Sequence, residues 1–341
     1  MNNEDMKKVA IKASVLALIS MTLMLHRSAT KHVMITDAAE VSTGGTSTSS
    51  EYELTMSTNM PDGKENCLII PISKNISADD IVLEDRYTSH ELRIYIDGSE
   101  DNYYKDNPIM TDVDIIESAS CTEQTGSNKA FLSFELDGLY ANESSLMESG
   151  AIEVRFFKPA EKYSHIVVVD PEYGVTGKDI TYETALLLKD MAESDSENDV
   201  KFYYTRGENE LVDHELALTL VKETGADLFV QMEIAPSDGT MENGMTAYYN
   251  DSFFNRRLTN AGFADIILRN CATKTGVEAL GILPMEEGDI MLKESKVPSV
   301  RMITGYINGA GDIDRLSDRN FEKHVAEGIY SGVLETFEVM K

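Results

Sequence analysis

The spacing of apolar residues changes near residue 160 and divides the chain into two kinds of segment. Before that point the pattern is short and alternating. Glu91-Leu-Arg-Ile-Tyr-Ile-Asp97 puts Leu92, Ile94 and Ile96 on one side and Arg93 and Tyr95 on the other, the signature of a half-buried strand. Residues 130–136 and 152–157 behave similarly, and Cys67-Leu-Ile-Ile-Pro71 is a short apolar run. Asp97-Gly98, Asp137-Gly138 and Ser149-Gly150 supply turns between them. Several short strands without helical periodicity predict a β-sandwich-like module over 53–160.

From 163 to 341 apolar strands alternate with amphipathic helices. Ile166-Val-Val-Val169 is wholly β-branched and reads as a buried strand, ending in Asp170-Pro171 and a turn at Gly174. A helix is expected over 179–191, with Ala185, Leu186, Leu187 and Leu188 as its apolar surface. Strands follow at 202–204, 228–232 and 245–249. A second helix spans 213–224, with Gly225 suited to its C′ position. A third is capped by Asp251 or Ser252 and runs to about Lys274, with Gly276 after it. The last, over 320–339, carries Phe321, Val325, Ile329, Val333 and Phe337 on one face. This alternation predicts an α/β domain, a largely parallel sheet flanked by helices. Ligands of open α/β sheets bind at the carboxyl ends of strands, which singles out Asp170, Glu172 and Tyr173.

Lys7, Lys8 and Lys12 precede an uncharged, largely apolar run from Ala13 to Leu25. That is a signal h-region, or, counted from Val9 with Lys12 snorkelling, a signal anchor. Residues 1–30 are therefore expected to export the chain. Either a single N-terminal helix holds it in the cell membrane with the bulk extracytoplasmic, or cleavage releases it. Residues 31–52, with Ser42-Thr-Gly-Gly-Thr-Ser-Thr-Ser-Ser50, have the composition of a flexible linker.

The chain has 341 residues, 42% hydrophobic and 26% charged, as a folded protein of two domains would. Its formal charge of −29 excludes nucleic acid as a partner and disfavours anionic membrane surfaces; solubility accounts for the excess acid. Cys67, Cys121 and Cys271 lack C-x-x-C spacing and a nearby His cluster, so no structural zinc site is expected. Pairing of Cys67 with Cys121 stays open. No Gly-x-Ser-x-Gly, phosphate loop or Cys-His pair is present.

The second segment resembles the zinc-dependent N-acetylmuramoyl-L-alanine amidases over its whole length. Asp170-Pro171-Glu172-Tyr173-Gly174 is similar to the family's Asp-Pro-Gly-His-Gly, whose His binds zinc; Tyr173 stands there. Gly177-Lys178-Asp179 resembles Glu-Lys-Asp, whose Glu is the second ligand; Gly177 stands there. Thr205-Arg206 matches a Thr-Arg pair. Gln231-Met232-Glu233 occupies the Ser-Ile-His segment, so the third ligand position holds Glu233. Pro298 to Ile307 resembles Pro-Ala-Val-Leu-x-Glu-x-Gly-Phe-Ile, with Ile303 in place of the catalytic Glu. None of the six histidines falls at a ligand position.

The resemblance implies amide hydrolysis in peptidoglycan by a zinc-bound water, a reaction that needs three protein ligands and a proton-carrying carboxylate. Tyr173 would bind only as phenolate, Gly177 offers nothing, Glu233 is one carboxylate, and Ile303 carries no proton. The expected function is therefore that of a non-catalytic amidase-fold protein of the bacterial cell wall. No cofactor is expected, and Asp170, Glu172, Tyr173 and Glu233 are the groove residues. It would bind peptidoglycan or stem peptide, or pair with an active cell-wall hydrolase or a division protein. Asp170, Glu172 and Glu233 converging on Ca²⁺ or Mg²⁺ is a further possibility. The rivals are an active amidase with atypical ligands and a purely structural surface module.

Overall fold

The computed structural model describes residues 34–37, 49–124, 126–173, 179–208, 210–211, 213–236, 244–252, 254–307 and 310–341. The expected export segment, Gly174 and Gly177 lie outside them. None of the described helices is long and apolar enough to cross a membrane. The chain divides into two compact units, Met1–Phe157 and Lys158–Lys341.

The first unit is built of two sheets. One contains β1 (Met34–Asp37), β2 (Ser49–Glu53), β5 (Ile81–Arg86), β6 (Glu91–Asp97), β8 (Ile116–Gln124) and β9 (Lys129–Leu136), in the order β1-β5-β6-β9-β8-β2. The other contains β3 (Met56–Ser57), β4 (Leu68–Pro71), β7 (Ile109–Thr111), β10 (Ala141–Met147) and β11 (Ala151–Phe157), in the order β10-β11-β4-β7-β3. A one-turn helix α1 (Tyr103–Asp106) precedes β7. Alternation decides which face of each strand is buried. Leu92, Ile94 and Ile96 of β6 share one core with Leu132 and Phe134 of β9 and with Leu68, Ile70, Ile152 and Val154 of the facing sheet. Tyr95 points the other way, against Phe131 and towards Glu84.

One strand falls inside the expected linker, residues 31–52, and a second begins there and ends at Glu53. Ser49–Glu53 pairs antiparallel with β8, and Met34–Asp37 pairs parallel with β5. Composition describes only side chains, whereas an edge strand is held through its backbone; Tyr52 adds a hydrogen bond to Glu123 at 2.7 Å. All three cysteines are buried and free.

The second unit carries a six-stranded sheet in the order β13-β12-β14-β17-β15-β16, comprising β12 (His165–Pro171), β13 (Val200–Tyr204), β14 (Leu228–Pro236), β15 (Gly244–Tyr249), β16 (Glu278–Pro284) and β17 (Ser299–Ile307). β13, β12, β14 and β17 run parallel, β15 is antiparallel to β17, and β16 is parallel to β15. Its helices are α2 (Pro159–Lys162), α3 (Ile180–Ser194), α4 (His214–Thr224), α5 (Asn260–Thr275), α6 (Ile290–Glu294), α7 (Ala310–Leu316) and α8 (Arg319–Met340). Val167, Val169, Val230, Met232, Val300 and Met302 bury one sheet face against Leu188 of α3, Phe263 and Ile267 of α5, and Val325, Ile329 and Val333 of α8. α5 and α8 cross closely at Gly328, where a Cβ would lie 2.5 Å from the Cα of Cys271.

The long helix begins later than the caps Asp251 and Ser252 imply. Thr259 caps it, accepting from Gly262 N at 3.0 Å. The preceding stretch is held as turns, because Asn250 accepts from Ser252 N and Asn255 from Arg257 N, and backbone groups spent this way cannot start a helix. β16 lies outside the strands that the sequence pattern predicts. It is an edge strand, mostly exposed, and lacks the apolar alternation that marks its neighbours.

Candidate functional site

β12 ends in a side chain that a β-branched strand does not ordinarily bury. Asp170 is 1% exposed, and burial pushes its carboxyl above the usual range, opposed by hydrogen bonds from Thr205 and Gln231 and by the Arg206 charge. Thr205 Oγ1 donates to it at 2.5 Å. Beyond Asp170 the chain is steered by Arg206. Its guanidinium grips Asp179 through two bonds of 2.6 Å, bonds the carbonyls of Pro171 and Gly207, and reaches Thr181. The rings of Tyr173 and Tyr182 lie 5.6 and 5.5 Å from it.

Glu172 continues the strand end. Its N–H donates to Met232 O at 2.9 Å, and its carbonyl accepts from Thr181 Oγ1 at 2.6 Å. These bonds set it beside the end of β14, where Glu233 projects. The register places Glu233 opposite Ile303 of β17, which in turn lies opposite Thr246 of β15. A register shift follows Glu233, and Thr304 Oγ1 bonds the Glu233 carbonyl there.

The centre of this edge is Arg301, a residue outside the candidates that the sequence singles out. Its guanidinium lies 3.4 Å from Glu233 Oε2, 3.8 Å from Glu286 Oε2 and 3.1 Å from Asp289 Oδ2, and 4.4 Å from the ring centroid of Tyr248. The Asp289 contact is a charge contact without hydrogen-bond alignment. Asp289 is fixed by its other oxygen, which caps α6 by accepting from Leu292 N. A signal was present: Arg301 is the one charge within the run Val300 to Ile307, and a buried strand keeps a charge only if paired.

Of the residues singled out from sequence, Glu172, Glu233 and Ile303 meet at this edge. Tyr173 follows Glu172 directly and is 37% exposed. Ile303 is 2% exposed and presents only hydrocarbon. Asp170 lies deeper and is already bonded, so it does not join Glu172 and Glu233 as a third open carboxylate. Among the described residues no group of three or more His, Cys, Asp and Glu side chains is arranged to hold a metal ion. His165 stands at the opposite end of β12, stacked on Phe337 at 4.0 Å.

Burial pushes Glu172 up to about 7, reinforced by Glu233, Asp170 and Asp289 and opposed by Arg301. Burial also raises Glu233, though Arg301 counters it. Folding therefore disfavours ionised Glu172. The penalty is absent below the unfolded value of about 4.3 and complete above about 7. Glu172→Gln should accordingly match the wild type near pH ~4 and exceed it near pH ~8. The expected gain is roughly 1–2 kcal/mol after allowance for solvent screening of a half-buried group. Urea melts at the two pH values check this; equal midpoints at the higher pH would count against it.

Residues 167–335 match the N-acetylmuramoyl-L-alanine amidase family. Over 112 residues, 33% of this chain, the sequence is 25% identical to the N-acetylmuramoyl-L-alanine amidase LytC of Bacillus subtilis (strain 168), and the match spans 22% of that protein. Solved structures similar to it include the catalytic domain of CwlV from Bacillus (Paenibacillus) polymyxa var. colistinus, with 21% identity, TM-score 0.44 and coverage of 51% of this chain and 99% of that one. AmiC2 of Nostoc punctiforme is 22% identical, with TM-score 0.44 and coverage of 51% and 97%. An amidase from Clostridium difficile 630 is 18% identical, with TM-score 0.45 and coverage of 51% and 97%. Through residues 167–335 the second unit of this chain is thus similar to the N-acetylmuramoyl-L-alanine amidases.

Proposed function

We propose that this protein is an extracytoplasmic, amidase-fold protein of the bacterial cell wall that binds peptidoglycan without hydrolysing it. The N-terminal segment carries it out of the cytoplasm and, as an uncleaved helix, holds it at the membrane. The first unit is read as a β-sandwich module between that segment and the amidase-fold unit.

One observation carries the loss of hydrolysis. The strand-end carboxylate at the family's third ligand position, Glu233, is paired with a guanidinium, and its cross-strand neighbour is Ile303. A zinc site needs three free donors around an open position, with a nearby group to carry a proton. Tyr173 offers a phenol, Gly177 no side chain, Glu233 a single carboxylate that already shares the Arg301 charge through Oε2, and Ile303 no proton acceptor. This donor set does not fit zinc, and no hydrolytic step is assigned to it. What persists is a strand-end edge that carries Glu172, Glu233, Tyr173 and Tyr248, the edge to which the family resemblance assigns the site.

The test uses full-length protein in detergent. It should sediment with purified sacculi, contain less than stoichiometric zinc, and release no stem peptides. Stoichiometric zinc with stem-peptide release would establish an active amidase with atypical ligands instead. A chain that stays in the supernatant would be a structural surface module.

A further inference from the structure

The strand-end site holds more acceptors than donors. Glu233, Glu286 and Asp289 share one guanidinium, that of Arg301. Glu172 feels that charge but does not pair with it: among the described residues its carboxyl makes neither hydrogen bond nor ion pair, while its backbone is fully engaged. A second acceptor lies behind it. Gln231 sits in register between Asp170 and Arg301, and alternation along β14 puts it on the same face as Glu233, with Met232 turned to the core. Gln231 is 4% exposed, and its Oε1 has no donor. Its amide is otherwise spent on Asp170. A buried acceptor without a donor is rare, and one beside a carboxyl that no described residue pairs suits a cation that carries its own N–H groups.

We propose that this site binds a primary ammonium group, the free amine at the end of a peptide side chain, with Glu172 as its counter-ion and Gln231 Oε1 and Glu233 as further acceptors. The inference rests on the wall-binding reading above and names which part of a wall peptide the site takes. A divalent metal is the poorer occupant, since it needs several ligands converging at short fixed distances, and the described residues supply no such group. An ammonium needs only acceptors at ordinary hydrogen-bond range. Tyr173, exposed and next to Glu172, adds a ring face for the methylenes that carry the amine.

Calorimetric titration of the full-length protein with a short lysine-containing peptide, and with the same peptide acetylated on the lysine amine, tests this. Acetylation should weaken binding at least tenfold. Glu172→Gln should weaken binding of the free amine to the same extent and leave the acetylated peptide unaffected. That variant keeps its fold, since it removes a repulsive charge; stability gained together with binding lost is a pairing that a structural role for Glu172 does not produce. Gln231→Met, which keeps the volume and removes the acceptor, should weaken the free amine about fivefold. Equal affinity for the two peptides, or unchanged affinity in both variants, or no binding of either peptide at millimolar concentration, would overturn the proposal. Sedimentation separates it from the wall-binding reading. If acetylating the amines of sacculi leaves sedimentation intact, this inference falls and wall binding stands. If the amine binds but sacculi do not, the reverse holds.

Discussion

Replacing Arg206 by methionine is expected to cost about 3–5 kcal/mol of stability, enough to unfold most of the second unit at modest urea concentrations. The side chains of Arg206 and Asp179 are 1% and 5% exposed, and their two-pronged contact is the best-formed buried ion pair described in the chain. Methionine keeps much of the volume but leaves the Asp179 carboxylate buried without its guanidinium. It also strips the Pro171 carbonyl of a donor. These two acceptors flank the connection from β12 to α3, so Arg206 holds both of its ends. Arg206→Lys should recover only part of the loss, because an ammonium cannot make the parallel pair of bonds. Asp179→Leu combined with Arg206→Met should be milder than the sum of the single changes, since the pair is then replaced by apolar atoms. Urea melts of the four proteins form the cycle; additive losses would show that the pair does not act as a unit.

Gly328→Val is expected to cost about 3 kcal/mol, although a β-branched residue in a helix interior ordinarily costs less than glycine. The reason is position. A Cβ there would lie 2.5 Å from the Cα and 2.9 Å from the N of Cys271, backbone atoms that cannot swing aside as a side-chain tip can. α5 and α8 would have to separate, loosening the packing of Ile267, Cys271, Val325 and Ile329 across the sheet. Gly288→Ala is the control, because a Cβ there meets nothing within 4 Å. Thermal melts should separate the two variants clearly, and a Gly328→Val protein as stable as the control would refute the close-packing argument.

Much of the second unit was legible because its signals are local. The β-branched run Ile166 to Val169 lies buried in the sheet between β13 and β14, and Phe321, Val325, Ile329, Val333 and Phe337 line the last helix as their spacing of four requires. Asp213 and Gly225 cap α4 at the positions their residue types suit. Errors arose where a local rule met a competing one. Asp251 and Ser252 are good capping residues, but Asn250 and Asn255 draw the neighbouring backbone into turns first. The Ser/Thr/Gly-rich composition of 42–50 says nothing of a backbone edge waiting to be paired, so composition alone assigns residues 49–52 to a linker.

The site divides along the same line. The succession of motifs from Asp170-Pro171 to Gly305 pointed to the fold and to the edge of the sheet that matters, because strand ends and turns are written in neighbouring residues. The side-chain types at Tyr173, Gly177, Glu233 and Ile303 bear on metal chemistry without any coordinates, since a sec-butyl group or a hydrogen cannot ligate. What only the tertiary structure decided is how the remaining charges are shared. Arg301 is 68 residues from Glu233, and no periodicity links them. Their pairing, the exclusion of Glu172 from it, and the rise of Glu172 to about 7 exist only once parallel strands bring distant carboxylates into one half-dry space. Electrostatic energy depends on through-space distance and on the water removed between charges, and a chain position records neither.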